Sequence, residues 1–105
     1  PVICFPKGIE KRYLDFCNLV RPDGINIDYD IDPMWAKKNL SKVTLQGGMN
    51  PRILLKTEKE IYNEAEKFLD IFKDVPYVFN LGHGIVPETE PDKVGKLIKF
   101  IREYK

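Results

Sequence analysis

His83 stands between two glycines in the stretch Pro76–Thr89, which reads Pro-Tyr-Val-Phe-Asn-Leu-Gly-His-Gly-Ile-Val-Pro-Glu-Thr, and it is the only histidine in the sequence. Near neutral pH an imidazole both donates a hydrogen bond and shuttles a proton. Glycine on each side lets the backbone approach a ligand closely and adopt positive φ. The residues before it, Tyr77 to Leu81, read as an apolar strand, so His83 is expected where a strand gives way to a loop. In barrels of parallel strands, active-site groups gather at that end of the strands. Position alone leaves a turn histidine without any role equally open.

Other residues are weaker candidates. Gln46-Gly47-Gly48 closes a second strand-like run. It reads either as a tight turn that needs glycine or as close backbone approach to a ligand. With Gly82 and Gly84 it would make an anion site of the kind found at helix starts and barrel loops, but neither cluster matches a P-loop or a dinucleotide fingerprint. Asp28, Asp30 and Asp32 alternate around another strand end. They suit a metal or a cationic substrate, while the plainer reading makes Asp32 a helix cap and leaves Asp30 solvated. Lys7 follows the first strand and is placed to meet a carboxylate, although a loop lysine is more often solvated. Met34 and Trp35 read as core or interface. There is no His-x-x-x-His, no CxxC and no serine–histidine–aspartate spacing. A complete active site is not expected from these residues alone.

The chain has 105 residues, a net charge of +1 and 43% hydrophobic residues. That suits a single domain or part of one, with enough apolar material for a core. Lysines are spread among acids, which gives no pull toward nucleic acid or an anionic membrane surface. No apolar run is long enough to span a bilayer, and the start lacks a signal-peptide pattern. Cys4 and Cys17 form no disulfide framework and no common zinc spacing. They are read as reduced core thiols of a cytoplasmic protein. The start in Pro-Val-Ile-Cys-Phe, without a polar lead, reads as the interior of a longer chain.

The elements that must carry His83 are short and alternate in type along the sequence. Val2 to Phe5 is a continuous apolar run, as suits a strand covered on both faces. Ile9, Tyr13, Phe16, Cys17 and Val20 recur at helical spacing. Ile25 to Tyr29 is a second strand, and Asp32-Pro33 caps a helix over Met34 to Leu40. Val43 to Gly48 is a third strand. Thr57-Glu58-Lys59-Glu60 is a capping box for a helix whose apolar face is Ile61, Ala65, Phe68, Leu69 and Phe72. Tyr77 to Leu81 is the fourth strand. Thr89-Glu90-Pro91-Asp92 repeats the capping pattern ahead of a helix bearing Val94, Leu97, Ile98, Ile101 and Tyr104.

Strand–helix alternation repeated four times implies parallel strands joined by crossovers. Two architectures fit: a small open α/β sheet, or half of an eight-stranded barrel, since a whole barrel needs about 250 residues. In an isolated half, the strands Val2–Phe5 and Tyr77–Leu81 would be apolar edges.

The segment Phe79-Asn80-Leu81-Gly82-His83-Gly84-Ile85-Val86-Pro87-Glu88-Thr89, with Pro91 and Val94 after it, resembles the C-terminal signature of the uroporphyrinogen decarboxylase family. Val43 to Gly47 with Asn50-Pro51 resembles that family's Leu-Gln-Gly-Asn-hydrophobic-Asp-Pro segment. Gly24 to Pro33 resembles its Gly-Leu-Asp-Trp strand, and Val2 to Gly8 the strand before it. Gly48 stands for the usual asparagine, Asn50 for aspartate and Tyr29 for tryptophan. The Asn-Leu-Gly-His-Gly run is the specific part.

The resemblance implies that residues 1–105 are one partial domain: the C-terminal half, four βα units, of a (β/α)8 TIM barrel. It implies a cofactor-free decarboxylase that acts on the four acetate side chains of uroporphyrinogen III and gives coproporphyrinogen III for haem synthesis. It makes His83 a substrate contact that orients an acid side chain, and it implies a homodimer in the cytoplasm for the full enzyme, with no metal. The arginines, aspartate and tyrosine that the family brings to the substrate from its N-terminal half have no counterpart here, and Asp28 matches a different strand from that aspartate. A fragment of this kind is expected to be inactive alone. Two other readings remain beside it. One is a cobamide-dependent methyltransferase of the same superfamily, which would hold zinc through histidine and cysteine. The other is a non-catalytic half-barrel that binds phosphate or mediates assembly.

Overall fold

Ile25 and Ile27 alternate with Asn26 along one strand, and this period of two sorts the sheet into unlike faces. In the computed structural model, which describes residues 1–104, both isoleucines are fully buried. They join one core cluster with Leu45 of the next strand and with residues from every helix, among them Tyr13, Ala36, Phe68, Phe72 and Leu97. The helices therefore share the isoleucine face of the sheet.

The strands are β1 (Ile3–Cys4), β2 (Gly24–Ile27), β3 (Thr44–Gly47) and β4 (Tyr77–Val78). The helices are α1 (Tyr13–Val20), α2 (Pro33–Asn39), α3 (Glu58–Phe72) and α4 (Pro91–Glu103), with 3-10 turns at Glu10–Arg12 and Pro51–Leu55. The strands lie in the order β1-β2-β3-β4 and every pairing is parallel. A doubly wound sheet reverses its strand order partway; this one runs in sequence. β1 and β4 are the edges, as expected of these two segments.

Local chemistry accounts for most element ends. Asp32 accepts a hydrogen bond from the Met34 amide at 3.1 Å, ahead of Pro33 in the first turn of α2. Thr57 accepts from the Glu60 amide at 3.3 Å and starts α3. Asn50 accepts from the Arg52 amide at 3.0 Å and starts a 3-10 turn that periodicity had not indicated. Lys96 pairs with Glu58 and so ties α4 to α3 across the surface.

Four expectations need correction. The first helix was expected from Ile9, but its opening turn is 3-10 and the α-helix begins at Tyr13. The fourth strand stops at Val78 rather than Leu81, because the Asn80 side chain takes the Leu81 amide at 2.8 Å in place of a ladder partner. Contact resumes where the Gly82 amide reaches the Met49 carbonyl at 2.8 Å. Thr89 does not cap α4. Glu90 occupies that position without a side-chain cap, and the buried Thr89 hydroxyl has no partner among the described residues. Finally, the run Val2 to Phe5 is not covered on both faces. Ile3 is 54% exposed and Phe5 41%, because their side of the sheet has no helix against it among the described residues.

Candidate functional site

Parallel strands place all their C-terminal ends on one side, so residues far apart in sequence converge there. A cleft of about 420 Å³ opens at this point, lined by Phe5, Asn26, Gln46, Asn80, His83 and Gly84 among others. Asn26 lies between two core isoleucines, so the pleat turns its side chain to the face opposite them. In register, Asn26 pairs with Gln46, and the Gln46 side-chain amide donates to Asn26 Oδ1 at 3.0 Å. Asn26 Nδ2 donates to the Ile27 carbonyl at 3.2 Å. The two amides brace each other across the floor of the cleft.

His83 forms part of the cleft wall, in the loop that follows the last strand. Its side chain is 29% exposed. The Phe5 ring meets it edge-on with centroids 5.8 Å apart, and the Tyr29 ring lies 6.0 Å away at a tilt of 56°. Its Nε2 is 3.8 Å from Oδ2 of Asp28, a carboxylate with only 10% of its side chain exposed. Asp28 is itself anchored: Oδ1 accepts from the Tyr29 amide at 2.8 Å, and its backbone N–H donates to the Tyr13 hydroxyl at 3.0 Å.

Tyr13 is buried, and burial pushes its phenol above the ordinary tyrosine range, with the carboxylates of Asp28 and Asp30 adding to the shift. The folded state thus keeps a proton that the unfolded chain releases at about pH 10. The resulting stability is complete below that pH and is lost as pH rises through the folded-state value. Urea unfolding between neutral pH and pH ~11 is expected to show this decline. Tyr13→Phe should flatten part of the decline and leave the part due to Tyr77, whose phenol burial also raises. An unchanged pH slope in Tyr13→Phe would show that the phenol does not titrate differently on folding.

The glycines divide by role. A Cβ on Gly82 would lie 2.5 Å from the Tyr29 backbone nitrogen, so this glycine exists to let the loop after β4 cross the end of β2. Gly47 has φ +85° and sits against the Asn26 side chain, and its carbonyl accepts the Tyr77 hydroxyl at 2.6 Å. Gly48 has φ +99° and packs on Phe68 and Ile27. Each of these three glycines has a place in chain packing. Gly84, two residues from Gly82, borders open space.

The remaining candidates do not join the cleft as a group. Asp32 is a cap and Asp30 is exposed, so the three aspartates share no site. Among the described residues no group of three histidine, cysteine, aspartate or glutamate side chains is placed to hold a metal ion. Lys7 is exposed, Met34 is 54% exposed, and Trp35 packs against the core. Cys4 and Cys17 are both free thiols, half-buried rather than core. Burial raises the Cys17 thiol, with Cys4 nearby adding to it. Sequence reasoning did not single out Asn26, Asn80 or Phe5. For Asn26 the signal available was a polar residue interrupting an apolar strand, which marks the face away from the helices.

A profile of the family described as uroporphyrinogen decarboxylase (URO-D) matches residues 1–104. The chain belongs to the uroporphyrinogen decarboxylase family. It is 45% identical over 104 residues to the uroporphyrinogen decarboxylase of Rickettsia bellii (strain RML369-C), covering 99% of this chain and 31% of that protein. It is 39% identical over 103 residues to that of Rhodospirillum rubrum, covering 97% and 30%. It is 36% identical over 104 residues to that of Wolbachia pipientis wMel, covering 99% and 30%. The chain therefore spans about a third of the length of these curated relatives. Family membership favours the decarboxylase reading over both the methyltransferase and the non-catalytic half-barrel. No helix among the described residues is long and apolar enough to cross a membrane.

Proposed function

We propose that this chain forms the C-terminal half of a (β/α)8 barrel that decarboxylates the four acetate side chains of uroporphyrinogen III to give coproporphyrinogen III. The observation that carries the reading is the position of His83. It stands in the loop that follows the last of four sequential parallel strands, over a cleft floored by Asn26 and Gln46. The sequential strand order and the bare face bearing Ile3, Phe5 and Val78 suit a sheet that continues into further strands. The reaction needs no cofactor. A pyrrole ring carbon takes a proton, and the ring accepts the electron pair left as carbon dioxide departs. Protonation of the exocyclic methylene and loss of the ring-carbon proton then leave a methyl group on a restored pyrrole. The protein's task is positioning and electrostatics. His83 hydrogen-bonds an acid side chain of the substrate and holds it against the cleft. The residues that meet the other carboxylates and the pyrrole N–H groups come from the remaining part of the barrel. The whole enzyme acts as a cytoplasmic homodimer, and this chain alone is inactive.

A chimera tests this. The matching C-terminal third of the Rickettsia bellii relative is replaced by this chain, and coproporphyrinogen formation is followed by chromatography. The chimera is expected to turn over substrate, and the 105-residue chain alone is not. His83→Ala in the chimera should lower kcat/KM by about 10- to 100-fold, the value of one hydrogen bond to a charged group. Turnover by the chain alone, or an unchanged kcat/KM in His83→Ala, would overturn the proposal.

A further inference from the structure

Asp28 is a buried carboxylate whose Oδ2, with no hydrogen-bond partner among the described residues, faces the only histidine of the sequence. Its other oxygen is spent on the Tyr29 amide, and its backbone N–H on the Tyr13 hydroxyl. Its backbone carbon also lies against Gly82, where a Cβ would come within 3.0 Å of it. Asp28 is thus fixed at one carboxylate oxygen and along its backbone, and the residue it faces is attached directly to the glycine packed on it. Asp30 and Asp32 are exposed, and Asp32 is engaged as a cap. The separation of 3.8 Å between Asp28 Oδ2 and His83 Nε2 exceeds a hydrogen bond, yet it is close enough for the charge to act on the ring. A carboxylate at that distance favours an N–H toward it and disfavours a lone pair. Among the described residues the ring makes no hydrogen bond that would impose the other choice. The Phe5 and Tyr29 rings lie beside it.

We propose that Asp28 is a positioning residue that orients the His83 ring and holds its neutral form as the Nε2–H tautomer, leaving Nδ1 for the substrate. A neutral ring of this tautomer accepts at Nδ1 from a protonated acid or a pyrrole N–H. Once the ring takes a second proton, both nitrogens donate, one toward Asp28 and one toward a substrate carboxylate. One carboxylate thus lets the same histidine serve either state of the substrate's acid groups. The proposal rests on the reading of His83 as a substrate contact.

The test reads the pair directly. A single histidine gives one pair of ring nitrogens in a long-range proton–nitrogen correlation spectrum of the uniformly 15N-labelled chain. The wild-type shifts of the neutral ring are expected to be those of the Nε2–H form. Asp28→Asn keeps an oxygen for the Tyr29 amide and turns an NH2 donor toward the ring. It should move the shifts toward the Nδ1–H form, whereas Asp30→Asn should leave them unchanged. Identical tautomer populations in wild type and Asp28→Asn would overturn the proposal. If Asp28→Asn fails to fold, the wild type alone decides: the mixed tautomers of a free histidine would overturn it. In the chimera, Asp28→Asn should raise KM for uroporphyrinogen with a smaller change in kcat. The spectra are independent of substrate, so failure of the pair and failure of the decarboxylase reading give separate results.

Discussion

Phe72→Ala is expected to lower the stability of the chain by about 3–5 kcal/mol, the range for truncating a buried phenylalanine. Phe72 ends α3 and is 2% exposed. Its ring stacks on Tyr77 with centroids 4.2 Å apart and an angle of 10°, and Phe68 lies behind it at 6.3 Å. Tyr77 in turn reaches the Gly47 carbonyl with its hydroxyl. This matters because β4 has only two paired residues to hold it to the sheet. Removing the phenyl ring leaves a cavity and also frees the Tyr77 ring that anchors the last strand, the strand that leads to His83. A whole domain has a net stability of only about 5–15 kcal/mol, so a loss of this size consumes much of it. Urea unfolding followed by circular dichroism measures it. Leu19→Ala is the control: Leu19 is 85% exposed, and its loss should change stability by no more than about 0.5 kcal/mol. A Phe72→Ala cost as small as that of Leu19→Ala would mean that α3 does not pack on β4 as described.

Gly82→Ala should cost about 2–4 kcal/mol, while Gly84→Ala, two residues away, should cost less than about 0.5 kcal/mol. The two glycines flank the same histidine and look equivalent in sequence. A Cβ at Gly82 would meet the backbone of Asp28 and Tyr29 at 2.5–3.2 Å, and backbone has little room to give. At Gly84 it would meet nothing within 4 Å. The strain at Gly82 would be relieved only by moving the loop off the end of β2, which also separates His83 from Asp28. In the chimera, Gly82→Ala should therefore reduce turnover far more than Gly84→Ala. Equal effects of the two substitutions on stability and turnover would sink this account of the crossing.

Much of the fold was legible because its signals are local. The change of period from continuous apolar runs to helical spacing marked four strand–helix units. Asp32-Pro33 and Thr57 with Glu60 announced two helix starts that the hydrogen bonds bear out. The failures came where a local signal met a competing partner. Thr89-Glu90-Pro91-Asp92 has the capping pattern, but burial of Thr89 hands the start of α4 to Glu90. Asn80 reads as part of an apolar strand, yet its own side chain satisfies the next amide and ends the pairing.

By itself the sequence determined the alternation of elements, the exceptional place of His83 and, through its Asn-Leu-Gly-His-Gly run, the resemblance to the decarboxylase family. Those properties lie within short windows of chain, where spacing and residue type are enough. Only the tertiary structure decided which residues share the cleft. Asn26, Gln46 and His83 belong to separate units, and parallel pairing and register bring them together. It also decided that Gly82 serves a chain crossing and that Asp28, one of three similar aspartates, is the one facing His83. Each of these depends on distances between segments remote in sequence, and local propensity carries no record of such distances.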